Sequence, residues 1–518
     1  MAFTTSIAEI IASDKTGLLS KHATWERVGL AEVASILNGA PFDSALFSTI
    51  EGVPLLRIRD VLSGTTSTYY TGTYDETYLV KPGDLLVGMD GDFNTDFWGA
   101  TPALLNQRVC KITPNEAFYS KSFLGYVLPG YLAAINANTP SITVKHLSSK
   151  TVGDIELPLP PRAEQTRIVE KLEELLSDLD AGVAELKAAQ KKLAQYRQSL
   201  LKAAVEGALT AAWRKHNPPG ETGAQLLDRI LRERRQRWEA KQLAKFQEQG
   251  KAPPEGWQDR YPEPVQPDTS GLSALPEGWV WSSLDQLVGE SSYGTSVKCS
   301  YASNGDPVLR IPNIVARKID LQNLKFATQE LSLGDAEYLA PGDILVVRTN
   351  GSISLVGRAA EVRETLPRQF FFASYLLRLR SVETCFVHRW ISAFLASIHG
   401  RKWIEVRAAS SAGQHNISLS TLLTMPVVLP PIAEQEESLK SLEVILDNVL
   451  KQEQSIEISL KQSAAQRKNI LKAAFSGQLV PQDPHDEPAS VLLARIRAEQ
   501  AARMNTSKPR GRKIKEPA

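Results

Sequence analysis

Cysteine, methionine and histidine are all scarce in this chain, with 3, 4 and 7 of them among 518 residues. Cys110, Cys299 and Cys385 lie far apart, which excludes a disulfide framework and any zinc site of the Cys-x-x-Cys kind. The histidines are dispersed too, with no His-Glu-x-x-His and no pair at metal-ligand spacing. No run of about 18 apolar residues occurs, so no membrane-spanning helix is expected. The N-terminal residues lack a basic segment followed by an apolar one, so no signal peptide is read there and the cytoplasm is the expected compartment. Excess charge of one sign is missing as well. The 59 basic and 58 acidic residues leave a formal net charge of +1, so bulk electrostatics do not announce a nucleic-acid binder, and such a reading must rest on local sites.

What is present is a folded-protein balance, 42% hydrophobic and 23% charged. A chain of this length exceeds one ordinary core, and several domains are expected. An internal repeat organises them. Pro160-Pro161-Arg162-Ala163-Glu164-Gln165 returns as Pro430-Pro431-Ile432-Ala433-Glu434-Gln435. Without a gap, Arg197 matches Arg467, Leu201-Lys202-Ala203-Ala204 matches Leu471-Lys472-Ala473-Ala474, and Gly207 and Leu209 match Gly477 and Leu479, all at an offset of 270. Further on, Leu226-Leu227-Asp228-Arg229-Ile230 resembles Leu492-Leu493-Ala494-Arg495-Ile496.

Upstream of each copy the echoes are fainter. Trp25, Leu30 and Val33 parallel Trp279, Leu284 and Leu287. Pro54-Leu55-Leu56-Arg57-Ile58 parallels Pro307-Val308-Leu309-Arg310-Ile311. Pro82-Gly83-Asp84 before Leu85–Val87 parallels Pro341-Gly342-Asp343 before Ile344–Val346. The order is therefore globular segment, helix, globular segment, helix, with the helical parts well matched and the globular parts poorly matched.

Leu172, Leu179, Leu186, Leu193 and Leu200 fall one per heptad, with Leu176 and Val183 as early companions. The second copy places Leu442, Val449, Ile456, Ser463 and Ile470 at the same positions. Pro-Pro suits the start of each helix, and Gly207 and Gly477 suit the stop. A helix of about 45 residues spans roughly 65–70 Å. Each apolar seam needs a partner, and two equivalent helices in one chain most simply pair antiparallel. From the heptads alone, a coiled coil joining separate chains stays open.

The globular segments read as α+β, with short strand-type runs at 53–58, 85–87, 308–311 and 344–348 bounded by Pro, Gly and Asp. The Pro-Gly-Asp turns have an ordinary structural explanation. After them come two unlike loops, 88–94 and 348–352. Between the domains, the linker 210–274 contains a charged helix, 225–249, whose Arg232, Arg234, Arg235 and Arg237 read as a solvated face. The tail 508–515 is a basic segment able to add non-specific DNA affinity.

Chemistry-bearing patterns are weak. Asn217-Pro218-Pro219 has Gly220 where an adenine methyltransferase needs an aromatic residue, and it sits in a polar linker. Asp84 and Asp343 lack the downstream Glu-x-Lys of a nuclease, since Glu361-Val362-Arg363 ends in Arg. No Walker phosphate loop occurs.

Two unlike domains separated by near-identical helices resemble the specificity subunits of type I restriction–modification systems. Residues 157–165, 198–209, 427–435 and 468–479 carry the likeness, together with 88–93 and 104–109 in the first domain. The resemblance implies a non-catalytic reader of double-stranded DNA, each domain taking one half of an asymmetric two-part target. It implies helices that set the spacing and dock two methyltransferase subunits, with restriction–translocase subunits joining them. S-adenosylmethionine, ATP and Mg are then expected on those partners and none on this chain, which has no membrane role.

The expected division is an N-terminal arm 1–21, recognition domain 22–160, spacer helix 161–209, linker 210–274, recognition domain 275–429, spacer helix 430–480 and a helix with basic tail 481–518. Arg pairs with guanine and Asn or Gln with adenine through two hydrogen bonds. Candidate contacts are thus Arg57, Arg59, Met89, Asp90, Asp92, Asn94, Asn106, Gln107 and Arg108 in the first domain. In the second they are Arg310, Asn313, Arg348, Asn350, Ser352, Arg407, Gln414, His415 and Asn416. The second loop departs from the first, so its contacts do not carry over. The alternative is a coiled-coil adaptor with two binding domains.

Overall fold

The two Pro-Gly-Asp turns fold as their residues dictate. Gly83 and Gly342 take φ of +84° and +92°, and the aspartate beyond each accepts a backbone N–H of its own turn, from Lys81 to Asp84 and from Ala340 to Asp343, both at 2.8 Å. Asp343 is also held by Arg380 at 2.7 Å, so both carboxylates are structural. The computed structural model describes residues 5–99, 101–139, 145–315, 317–331, 338–382 and 386–506. Cys385 and the basic tail 508–515 lie outside the described residues.

Two compact units divide the chain, one running to Lys187 and resuming at Glu457, the other Ala188–Ile456. In the first, Glu26–Gly29 pairs antiparallel with Glu156–Leu159 as a two-stranded neck. Beyond it stand a four-stranded sheet, in the order Ala34–Asn38, Val109–Pro114, Leu85–Gly88, Thr95–Phe97, and a five-stranded sheet containing Val53–Leu56 beside Ala103–Leu105. The helix Lys121–Ala137 buries Phe123, Leu124 and Val127 in one core with Trp25, Leu172 and Phe475. The C-terminal helix Ala489–Thr506 adds Leu492 and Ile496 to that core.

The second unit repeats the plan with different sheets. Val280–Ser283 pairs with Pro426–Leu429 as its neck. Above lie a six-stranded sheet around Asp343–Val347, a four-stranded sheet, and a three-stranded sheet of Thr349–Asn350, Gln414–Asn416 and Ala409–Ser411. The linker helix Gly223–Glu248 sends Leu226 and Ile230 into this core. Its Arg234 is not on a solvated face: the guanidinium reaches Tyr261 Oη at 3.0 Å and Asp285 at 3.3 Å. Arg232, Arg235 and Arg237 instead pair with carboxylates of their own helix, Asp228, Glu239 and Glu233.

The long helices are Arg162–Val205 and Ile432–Phe475, 44 residues each. Their pairing is antiparallel. In the first unit, Leu172 and Leu176 share a core with Ala474 and Phe475, and Leu179 and Ile470 both pack against it. In the second, Leu200 and Val205 share one with Leu439 and Leu442. Val449 is buried too, whereas Leu186, Leu193 and Ile456 are half-buried. Arg197 meets Glu453 and Arg467 meets Asp180 along the pair. Gly207 and Gly477 end the helices at φ of +75° and +71°. A Cβ on Gly207 would press into Arg214, Pro276 and Trp279, and one on Gly477 into His22.

Candidate nucleic-acid interface

In the first domain the loop after Leu85–Gly88 is pinned from within. Phe93 adopts φ of +54° and its ring is buried. Met89 is 6% exposed and belongs to the core. Met89 thus spends its side chain on the core and offers none to a duplex. Its backbone carbonyl accepts from Leu147 N at 2.7 Å, and Asp90 bridges His146.

The recessed carboxylate of Asp90 then holds two outward side chains, Arg108 at 2.6 Å and His146 Nδ1 at 2.7 Å. Arg108 and His146 are 56% and 60% exposed, Asp90 only 14%. A fixed carboxylate that orders two exposed donors removes the rotamer freedom they would otherwise lose on contact. Behind them Lys145 is tied to Asn136 at 2.6 Å, and Asn136 to Gly91 O at 2.5 Å.

The remaining candidates of this domain scatter around that cluster. Asp92, Gln107, Arg57 and Arg59 are exposed, and Asn94 and Asn106 are half-buried. Asn94 accepts from Gly88 N at 2.7 Å, and Asn106 from Val109 N at 2.9 Å, through their main-chain oxygens. Arg57 lies 6.0 Å over Phe47, and Arg59 reaches Thr68 Oγ1 at 3.2 Å.

The second domain builds the equivalent edge from other residues. Arg348 O accepts from Ile417 N at 3.0 Å, and Thr349 pairs with Asn416. These are the places of Met89, Leu147, Asp90 and His146. The segment expected as a loop, 348–352, thus contains a short strand, and Gln414, His415 and Asn416 form the strand beside it. Arg348 donates from Nε to Asn416 Oδ1 at 3.1 Å and stacks 5.0 Å over Tyr293. Asn350 accepts from Ser352 N at 2.8 Å, and Ser352 and Ser354 hydroxyls meet at 2.9 Å. Arg407 is exposed over Trp403 at 4.4 Å.

Two candidates of this domain stand elsewhere. Arg310 lies 5.5 Å over Tyr301 and donates to Asn323 O at 2.8 Å. Asn313 is 2% exposed, donates to Asp320 O at 2.9 Å and Gln322 O at 3.0 Å, and accepts from Arg310 N at 2.9 Å. Both amide N–H groups and the amide oxygen are engaged within the fold, so Asn313 shapes a turn and leaves no exposed edge for a base.

Lys145 and His146 were not among the sequence candidates, yet a signal exists. The offset of 270 that aligns the helices also aligns His146-Leu147-Ser148 with Asn416-Ile417-Ser418. Extending the helical register upstream past Pro160 finds them.

Below each reading edge a joint repeats. Trp25 Nε1 donates to Glu164 at 3.0 Å, and Gln482 grips the other carboxylate oxygen. Trp279 Nε1 donates to Glu434 at 2.8 Å, with Thr210 Oγ1 at 2.6 Å and Arg214 Nε at 2.8 Å on the other oxygen. Glu164 and Glu434 are 1% and 2% exposed. Burial raises the Glu164 pKa, while the Trp25 and Gln482 hydrogen bonds pull it down. The neighbouring Gln165 closes the neck through Ser120 N at 2.7 Å and Phe118 O at 3.0 Å. Asn217, of the Asn-Pro-Pro tripeptide, only caps a helix by donating to Trp213 O at 2.8 Å.

Comparison with known proteins agrees in kind. A family described as "Type I restriction modification DNA specificity domain" matches residues 22–188. The type I restriction enzyme EcoBI specificity subunit of Escherichia coli is 34% identical over 97% of this chain and 98% of its own length. The EcoKI specificity subunit of Escherichia coli strain K12 is 23% identical over 92% of this chain and 96% of its own. A solved chain described under "Structural basis underlying complex assembly and conformational transition of the type I R-M system" superposes with a TM-score of 0.57 at 16% identity. It covers 88% of this chain and 98% of that one, a likeness of fold.

Proposed function

This chain belongs to the family of type I restriction enzyme specificity subunits, and from that premise we propose how its parts divide the reading of DNA. Such subunits recognise DNA and are non-catalytic, and this one is the DNA-specificity subunit of a type I restriction–modification system. Each recognition domain reads one half of an asymmetric, two-part target. The observation that carries the division is the pair of equivalent but unlike edges, Asp90–Arg108–His146 in one domain and Arg348–Asn416 in the other. The two edges share their backbone pairing and the His146/Asn416 position but carry different side chains, as two different half-sites require.

Arg108 and Arg348 suit guanine, and Asn416 or Gln414 suits adenine. Arg57, Arg59, Gln107, Asn350, Ser352 and Arg407 supply flanking phosphate contacts, which position the duplex rather than specify it, whereas the Asp92 carboxylate suits a base-edge donor. The antiparallel helices hold the spacing of the half-sites and dock two methyltransferase subunits on their half-buried faces around Leu186, Leu193 and Ile456. Restriction–translocase subunits join that complex. S-adenosylmethionine, ATP and Mg bind those partners, and the assembly works in the cytoplasm.

An adenine-methylation map of DNA modified by the chain co-expressed with a methyltransferase subunit tests this. A two-part motif with a fixed unread gap, lost without the chain, is the expected result. Methylation without a motif, from an assembled complex, would leave a coiled-coil adaptor in its place.

A further inference from the structure

Each recognition domain meets its helix through a two-stranded neck, a Pro-Pro step and a shared apolar core. The buried carboxylate of the Ala-Glu-Gln segment adds a directional tie to that packing. It sits in the first turn of one long helix, takes the indole N–H of the strand entering the domain, and takes a side chain that follows the end of the other long helix. Three chain segments therefore converge on one acceptor in each unit. Both joints are built alike although the domains above them are not.

We propose that Glu164 and Glu434 are positioning residues that set the spacing stringency of recognition, by fixing the angle of each reading domain on its helix. This rests on the specificity-subunit reading above. A domain of about 140 residues is roughly 25–30 Å deep. A tilt of about 7° at its base moves the far edge by about 3–4 Å, close to the ~3.4 Å rise of one base pair. A loosened joint thus leaves the base contacts intact but lets the half-sites sit one base pair nearer or farther.

The two carboxylates differ in one testable respect. Glu164 accepts from a neutral indole and a neutral amide, and Gln482 can turn its amide to suit a glutamine there. Glu434 accepts from Arg214 and Thr210 on one oxygen and Trp279 on the other, so an amide N–H2 in its place faces a donor.

The test is a methylation map of co-expressed complexes, scoring the wild-type gap and gaps one base pair longer or shorter. Glu164→Ala and Glu434→Ala should raise methylation at the altered gaps about tenfold relative to the wild-type gap, the effect of roughly 1.4 kcal/mol, with half-site bases unchanged. Glu164→Gln should restore the single gap and Glu434→Gln should not. If an alanine variant fails to assemble, Trp25→Phe and Trp279→Phe, which delete the indole N–H and keep a smaller aromatic ring, should broaden the gap in the same direction. A single gap in every variant that assembles, with methylation merely lower or unchanged, overturns the proposal. If the wild type itself shows no two-part motif, the specificity reading fails and not this joint alone.

Discussion

Arg348 and Asn416 are joined side chain to side chain at 3.1 Å across adjacent strands, with Tyr293 under the guanidinium. The pair holds a planar donor fork in one orientation, as bidentate recognition of a base edge demands. Arg348→Ala should cost about 1–3 kcal/mol on the cognate second half-site and relax preference at one position. Binding titrations with single-base variants of that half-site measure it. An equal loss on every sequence would make Arg348 a phosphate contact.

In the other domain one carboxylate orders two exposed donors. Asp90→Ala should lower discrimination within the first half-site about tenfold, leaving the second half-site untouched. Combined with Arg348→Ala, the losses should add, because the edges share no partner. Strong non-additivity in competition assays would show that they do not read separate halves.

Glu164 supplies a pH signature. Its pKa stands above the ordinary 4.5 because burial disfavours the charge. The folded state thus holds that proton more tightly than the unfolded chain, and the stability it brings is present below the ordinary value and lost as pH rises through the native one. Glu164→Gln removes this loss. The thermal midpoint of the variant, minus that of the wild type, should rise as pH increases above about 4.5. A flat or falling difference contradicts the assignment.

The helix seam is unevenly covered, and substitutions should sort accordingly. Leu442 is fully buried, so Leu442→Ala should cost roughly 2–5 kcal/mol in denaturant unfolding. Half-buried Leu186 loses less area, and Leu186→Ala should cost about 1 kcal/mol or less. Its larger effect should be on capture by a co-expressed methyltransferase subunit, read by co-purification. The reverse order would place the docking face elsewhere.

Much of this was legible locally. Heptads, helix-forming residues, Pro-Pro starts and glycine stops are short-range signals, and the helices run within a residue or two of where they point. The offset of 270 also held the key to His146, through its alignment with Asn416. What misled was side-chain direction. Met89 and Asn313 are the right types in the right segments, yet both turn inward, and Arg234 leaves its charged row to bind Tyr261 and Asp285.

The sequence by itself determined the repeat, the two long helices and the contrast between constant helices and divergent domains, because each is written in periodicity or identity along the chain. Tertiary structure alone decided which polar residues face outward, that Asp90 gathers Arg108 and His146, and that Glu164 and Glu434 bolt three segments together. Those pairings join residues far apart in sequence, from 18 between Asp90 and Arg108 to 318 between Glu164 and Gln482. Burial and hydrogen-bond satisfaction, which select among such partners, exist only once the chain has closed on itself.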